Sequence, residues 1–315
     1  MTGSAVARGT GGDGVTNESA PPRGPADPGG AAAVAWTSVA LAQPAGRTFS
    51  AAVIDLRRGW EQRSLWGHLG WQDIRQRYRR SVLGPVWITI SMAVTAVALG
   101  ILYSGLFDIE LARFLPHVLV GFIVWAFISG CIAEGSEVFI ANEGLIKHLP
   151  SPLSVHVYRL VWRQTLFFLH NLIVYAVMLF VYPQPLKWTA VYAVAAFAVL
   201  ALNGAWVALA VGIITARFRD ILPITQSVVQ LMFFLTPIVW VYDELVNSPN
   251  PDIAARARLA EFNPFLHFVE IIRRPLLGQD QLLRHWVVVL AITVAGWALT
   301  MLVLRRYRSR VSYWV

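Results

Sequence analysis

Cysteine is almost absent: Cys131 is the single one in 315 residues. That excludes any disulfide within the chain and any cysteine-based metal cluster. Lysine is nearly missing too, with Lys147 and Lys187 the only two. Neither follows a glycine, so the G-x-x-x-x-G-K-[ST] phosphate loop cannot be built here. Charge as a whole is scarce: 14% of residues are Asp, Glu, Lys or Arg, against about 25% in ordinary soluble domains. The scarcity is concentrated. Six stretches carry no charged side chain at all, at residues 85–107, 114–133, 164–186, 188–216, 221–242 and 286–304. Each reaches about 19 residues, enough for a helix to cross the roughly 30 Å hydrocarbon core of a bilayer. A helix satisfies its own backbone polar groups where water is missing. The expectation is an all-α membrane protein with six transmembrane helices.

The charge that is present sits beside the spans. With both termini on the inner side, sixteen Lys and Arg fall on inner segments and seven on outer ones. That asymmetry predicts cytoplasmic termini. The net charge of +8 therefore reads as topology and lipid contact rather than nucleic-acid binding. Residues 1–50, rich in Gly, Ala, Pro, Ser and Thr, cannot bury a core and read as a disordered cytoplasmic tail. The remainder, 51–315, reads as one transmembrane domain.

Residues 52–82 read as a basic amphipathic interfacial helix, with a break expected near Gly67–Gly70. Trp66, Leu69, Ile74, Tyr78 and Val82 recur at helical spacing, and Arg75, Arg77, Arg79 and Arg80 crowd the last turns. Between spans five and six, residues 262–277 are too apolar for a free loop and too short and charged for a span. They read as an outer re-entrant helical segment, begun by Asn263-Pro264 and stopped near Pro275 and Gly278. Pro237 should kink the fifth span near its outer end.

No catalytic constellation is present, and the seven histidines form no ligand pair at helical spacing within one span. Glu134, Glu137 and Glu143 can pair with Arg159 and Arg163 or recognise a partner subunit. Trp125, Trp206, Phe233 and Phe234 lie deep in the spans, as packing or as a stacking path for sugar rings.

Four stretches, taken in order, resemble the membrane subunit of ABC-2 type exporters of polysaccharides and other lipid-linked glycans, the family of O-antigen, teichoic-acid and mycobacterial galactan exporters. They are R-Y-R-R-S-V-L-G-P-V-W-I-T-I at 77–90, N-E-G-L-I-K-H-L-P-S-P-L-S-V-H-V-Y-R at 142–159, R-F-R-D-I-L-P-I-T-Q at 217–226 with its continuation to Trp240, and N-P-F-L-H-F-V-E-I-I-R-R-P-L-L-G at 263–278. The resemblance implies a homodimer with two separate ATPase subunits, which bind the ATP and Mg; no cofactor is expected in this chain. It implies a polysaccharide linked to polyprenyl diphosphate as cargo, moved outward across the bacterial inner membrane. High arginine with two lysines fits a GC-rich actinobacterium, which makes a cell-wall galactan precursor a candidate.

By matching position, the resemblance assigns Asn142, Glu143, Leu145, Ile146, Lys147 and His148 to ATPase coupling. It assigns Asn263, Pro264, Phe265, Glu270 and Arg273 to an outer gate, and the helix ending in Arg75, Arg77, Arg79 and Arg80 to the substrate entrance. Arginine holds a diphosphate with forked, charge-assisted hydrogen bonds; anionic-lipid contact is the competing role for the same side chains. An ABC-2 permease for a drug or lipid and a membrane-embedded glycan or lipid enzyme are the alternative functions.

Overall fold

The computed structural model describes residues 48–79, 84, 86–148 and 151–315. The chain divides into units 1–43 and 44–315, and every described residue lies in the second. The expected tail therefore falls outside the described residues as far as 47, and so do Arg80, Val82 and Pro85. Regular structure among the described residues is entirely helical.

The chain enters α1 (Phe49–Glu61) at Thr48, whose Oγ1 accepts the Ala51 N–H at 3.3 Å. A side-chain oxygen in this position answers one of the orphan donors of a first turn. α2 (Arg63–Arg77) follows directly. The break between them falls at Gln62, not near Gly67–Gly70 as expected. α2 also lacks the single apolar face anticipated from the spacing. Ile74 is buried and Trp66 packs on Tyr158 and Trp162, while Leu65 and Trp71 are exposed. The stripe thus serves contact with another helix as much as with a lipid surface.

Among the described residues, five helices are long and apolar enough to cross a membrane. They are α3 (Val86–Phe107), α4 (Leu111–Ser136), α6 (Leu153–Val181), α7 (Tyr192–Arg217, entered through a 3-10 turn at Trp188–Val191) and α12 (Leu283–Trp314). The short α5 (Glu143–His148) joins α4 to α6. α6 begins eleven residues before the expected span and stops at Val181, where Pro183 and Pro185 follow and cannot supply helix N–H donors.

The fifth expected span, 221–242, is α8 (Ile221–Leu235), 15 residues long. At 1.5 Å per residue it reaches about 22 Å, short of the hydrocarbon thickness. Pro237 was expected to kink this helix; instead the helix ends before it. Thr236 takes extended angles of φ −89° and ψ 135°, the conformation a residue preceding proline prefers. The chain then runs without helix to α9 (Tyr242–Val246) and α10 (Pro251–Arg258). Freed backbone carbonyls find side-chain partners: Arg273 donates to that of Pro237 at 2.7 Å, and the Thr236 hydroxyl, which accepts from Asn263 at 2.9 Å, donates to that of Met232 at 2.6 Å. Non-helical backbone is tolerable at such a place only when buried protein answers it.

Arg273 lies on α11 (Pro264–Leu276) and Asn263 caps it; the helix starts where expected. Asn263 Oδ1 accepts the Phe265 N–H at 3.0 Å and Pro264 takes the first helical position. The segment ends past Leu277 at Gly278, whose φ of +71° a Cβ would disfavour. α11 is buried from Leu266 through Arg273 and packs against α4, α7 and α12. α4 is the centre of the bundle, in contact with α3, α6, α7, α8 and α11. α3 buries only Ala96, Gly100 and Ser104.

Candidate functional site

At the end of the bundle where α1, α2 and α5 lie, charged side chains from three helices meet. Asp73 on α2 accepts from Arg159 Nε and Arg163 Nη1 of α6, each at 2.8 Å, with a second contact from Arg159 Nη2. Arg163 reaches Glu134 on α4, and Arg77 approaches the same carboxylate at 3.5 Å. Burial works to raise the Asp73 carboxyl, but the hydrogen bond and charge of Arg159, joined by those of Arg163, outweigh it and hold it below the usual carboxylate range. The sequence had left Glu134 between pairing and partner recognition; it pairs with Arg163. Arg159 also donates from Nη1 to Asn142 Oδ1 at 3.3 Å. One guanidinium therefore joins the residue that opens the α5 segment to α2.

A second joint lies beneath it. Asp55 on α1 is 2% exposed. Its carboxylate accepts the Ser154 N–H at 3.1 Å and the Leu153 N–H at 3.3 Å, and Arg308 of α12 approaches at 3.3 Å. A carboxylate on the first N–H groups of α6 neutralises both its orphan donors and the positive end of its dipole. Gly59 makes the approach possible, since a Cβ there would lie 2.1 Å from Ser154 Oγ. Neither Asp55 nor Asp73 carried a motif in the sequence; their partners are about a hundred residues away.

The predicted entrance arginines do not form one cluster. Arg75 and Arg79 line a cleft of about 590 Å³ with Trp71, Tyr78 and His170. Arg77 turns the other way, its guanidinium 5.6 Å from the centre of the Phe167 ring, into a separate cleft. Arg80 lies outside the described residues. Along α5, Lys147 binds Glu143 at 2.6 Å one turn back. Both are solvent-facing, and this hydrogen bond and charge hold the Glu143 carboxyl below its ordinary value. Leu145 is exposed, while Ile146 packs onto an inner cluster with Val138, Phe139 and Val311. The segment thus rests on the bundle through Ile146 and presents Leu145, Glu143, Lys147 and His148 outward. Asn142 is tied back to the Val138 carbonyl at 2.7 Å.

Of the deep aromatics, Trp125 and Phe233 meet at 5.9 Å between ring centres, and Phe234 adjoins Phe233 at 5.3 Å. Phe265, assigned to the outer gate, joins this group at 5.5 Å from Trp125. Trp206 stands apart: its Nε1 donates to Asn203 Oδ1 at 2.7 Å and its ring lies over Gly296 of α12. The four therefore do not make a single track.

At the opposite end, Arg273 is 1% exposed. It donates to Glu270 Oε1 at 3.0 Å as well as to Pro237, and Arg274 holds the other Glu270 oxygen at 3.0 Å. The guanidinium fits because α4 carries glycine at position 121, where a Cβ would lie 2.4 Å from Nη2. Histidines that sequence spacing kept apart meet here, with Nδ1 of His267 and Nδ1 of His285 at 2.7 Å. His267 Nε2 faces the Glu261 carbonyl at 3.0 Å, so its proton sits there and its Nδ1 accepts from His285. Among the described residues no group of three or more His, Cys, Asp or Glu is arranged to hold a metal.

Known proteins share sequence with this chain. An O-antigen export system permease protein RfbA of Klebsiella pneumoniae is 24% identical over 173 residues, covering 55% of this chain and 67% of the relative. The protein of that name in Myxococcus xanthus is 23% identical over 215 residues, covering 67% and 79%. Residues 64–277, from α2 through the end of α11, match the ABC-2 type transporter family. The chain is a multi-pass membrane protein and belongs to the ABC-2 type transporter family.

Proposed function

We propose that this chain is the permease subunit of an ATP-driven exporter that moves a polysaccharide linked to polyprenyl diphosphate out of the cytoplasm, with a cell-wall galactan as the leading candidate. Two copies pair and two separate ATPase subunits bind ATP and Mg. Both termini face the cytoplasm of a bacterial cell, as the excess of Arg on that side requires. The similarity to O-antigen export permeases supports a polysaccharide as cargo.

The observation that carries the reading is Arg159, which holds Asn142 Oδ1 at 3.3 Å and Asp73 at 2.8 Å. A movement imposed on the α5 segment by a docked ATPase reaches the arginine-bearing helix through one side chain. Leu145, Lys147 and His148 offer the docking face, and Ile146 transmits the force into the bundle. Arg75 and Arg79 receive the diphosphate at the 590 Å³ cleft. At the outer end, Asn263, Pro264, Phe265, Glu270 and Arg273 form the gate, with the buried Arg273–Glu270 pair holding α11 against the interrupted α8.

The test is ATP hydrolysis by the chain expressed with its ATPase, with and without a polyprenyl-diphosphate glycan, together with depletion of the pair in cells. Glycan-stimulated hydrolysis and intracellular accumulation of lipid-linked glycan are the expected results. A stable complex that ignores glycans transfers the reading to a drug or lipid exporter.

A further inference from the structure

A second cleft, of about 470 Å³, opens between α3, α4 and α6. Its volume is within the roughly 300–1,000 Å³ typical of small-molecule sites. Arg77 stands at one end beside Phe167 and Glu134, and Ser129, Gln164 and Asn171 line it further in. Gln164 and Asn171 are seven residues apart, two turns along one face of α6 and about 10 Å in height. Both are buried, at 5% and 2% exposure. Asn171 Oδ1 has no hydrogen-bond partner. Buried side-chain polar atoms normally have at least one partner, and an apolar region penalises one that does not.

Local packing supports Gln164 in this position. A Cβ at residue 130 would lie 2.5 Å from Gln164 Oε1, so Gly130 leaves the carboxamide room against α4. Ser129 donates to the Trp125 carbonyl at 2.8 Å, which leaves its oxygen able to accept. Phe127, Phe167 and Phe168 supply aromatic walls. An acyl chain would leave the amides unanswered. A single water, whose share of volume is about 30 Å³, would leave most of the cleft empty. A pyranose offers both what the amides need, in its O–H donors and, for an acetamido sugar, an N–H, and what the aromatic rings need, in its C–H face.

We propose that this cleft is a subsite for the first sugar of the diphosphate-linked cargo, with Asn171 Oδ1 accepting from a sugar O–H or N–H, Gln164 bonding a neighbouring substituent, and Arg77 at its mouth taking over the diphosphate that Arg75 and Arg79 first receive at the neighbouring cleft. The inference rests on the lipid-diphosphate reading above. It adds that the chain discriminates the sugar nearest the lipid, not only the charged headgroup.

The experiment uses the full chain in lipid nanodiscs and titrates it, by tryptophan fluorescence, with polyprenyl diphosphate and with polyprenyl diphosphate bearing one N-acetylglucosamine. The sugar-bearing lipid is expected to bind about tenfold more tightly, the increment that one or two net hydrogen bonds supply. Asn171→Leu should remove that increment, leave affinity for the bare lipid unchanged, and melt no lower than the parent. Asn171→Thr is the more conservative second variant, and Arg77→Gln should weaken both lipids alike. Equal wild-type affinities would overturn the subsite while leaving the diphosphate reading intact, with water then filling the place beside Asn171. An increment that survives both Asn171 variants would also overturn it. No binding of either lipid would overturn the diphosphate reading and the subsite together.

Discussion

Replacing Asp73 with asparagine tests whether the α2–α6 joint holds α2 in place. The change keeps the shape and removes the charge that Arg159 and Arg163 share. Removing one partner of a buried ion pair costs about 3–5 kcal/mol. Here the three side chains keep 14–19% exposure, and Arg163 retains Glu134 while Arg159 retains Asn142. Those residual partners and solvent screening reduce the loss to about 2 kcal/mol. For a fold of this size that is a fall in melting temperature of about 4 °C, read from the intrinsic fluorescence of the thirteen tryptophans. The pH dependence has a definite sign. The Asp73 carboxyl lies below its ordinary 3.8 in the folded protein, so the folded state binds fewer protons at that site. The stabilisation is complete above about pH 5 and disappears as pH falls through the folded value. The gap between Asp73→Asn and the parent should therefore be constant from neutral pH to about pH 5 and close in stronger acid. A variant that melts within about 1 °C of the parent at pH 7 would show that the joint contributes nothing.

Changing Arg77 and Arg79 together with Arg80 to glutamine should weaken transport while dimer assembly, followed by size-exclusion chromatography, persists; undiminished transport would remove their diphosphate role. Substituting Ile146 and Lys147 should leave ATP hydrolysis running without transport, since Ile146 seats the α5 segment on the bundle, and normal coupling would reject that docking assignment. Gly121→Ala places a Cβ 2.4 Å from Arg273 Nη2 and should lower the melting temperature, with a cost of about 1–3 kcal/mol as for other overpacked sites. Gly67→Ala, with nothing within 4 Å of the new methyl group, is the control and should melt no lower than the parent.

Charge depletion is a local property of the chain, so the sequence located the membrane helices without knowledge of their neighbours. The same holds for the Asn263-Pro264 start and Gly278 stop of α11, where cap chemistry involves residues within a few positions. The α8 segment shows the limit of that legibility. Its composition runs apolar through Tyr242, and Pro237 was visible as a disturbance. Whether proline kinks or ends a helix depends on whether something else satisfies the freed backbone groups. Arg273 does so for the Pro237 carbonyl, from 36 residues further along the chain.

The candidate site divides in the same way. Arginine density beside α2 and the α5 segment could be read directly, because their spacing along the chain carries the signal. The separation of Arg75 and Arg79 from Arg77 could not, since it follows from how α2 is rotated against α6. Gln164 and Asn171 show a readable seven-residue spacing, yet their significance needed the cleft. Asp55 and Asp73 had no local signal at all. Their roles come from meeting a helix start and two arginines about a hundred residues away, and electrostatic pairing at such separations is decided by tertiary packing alone.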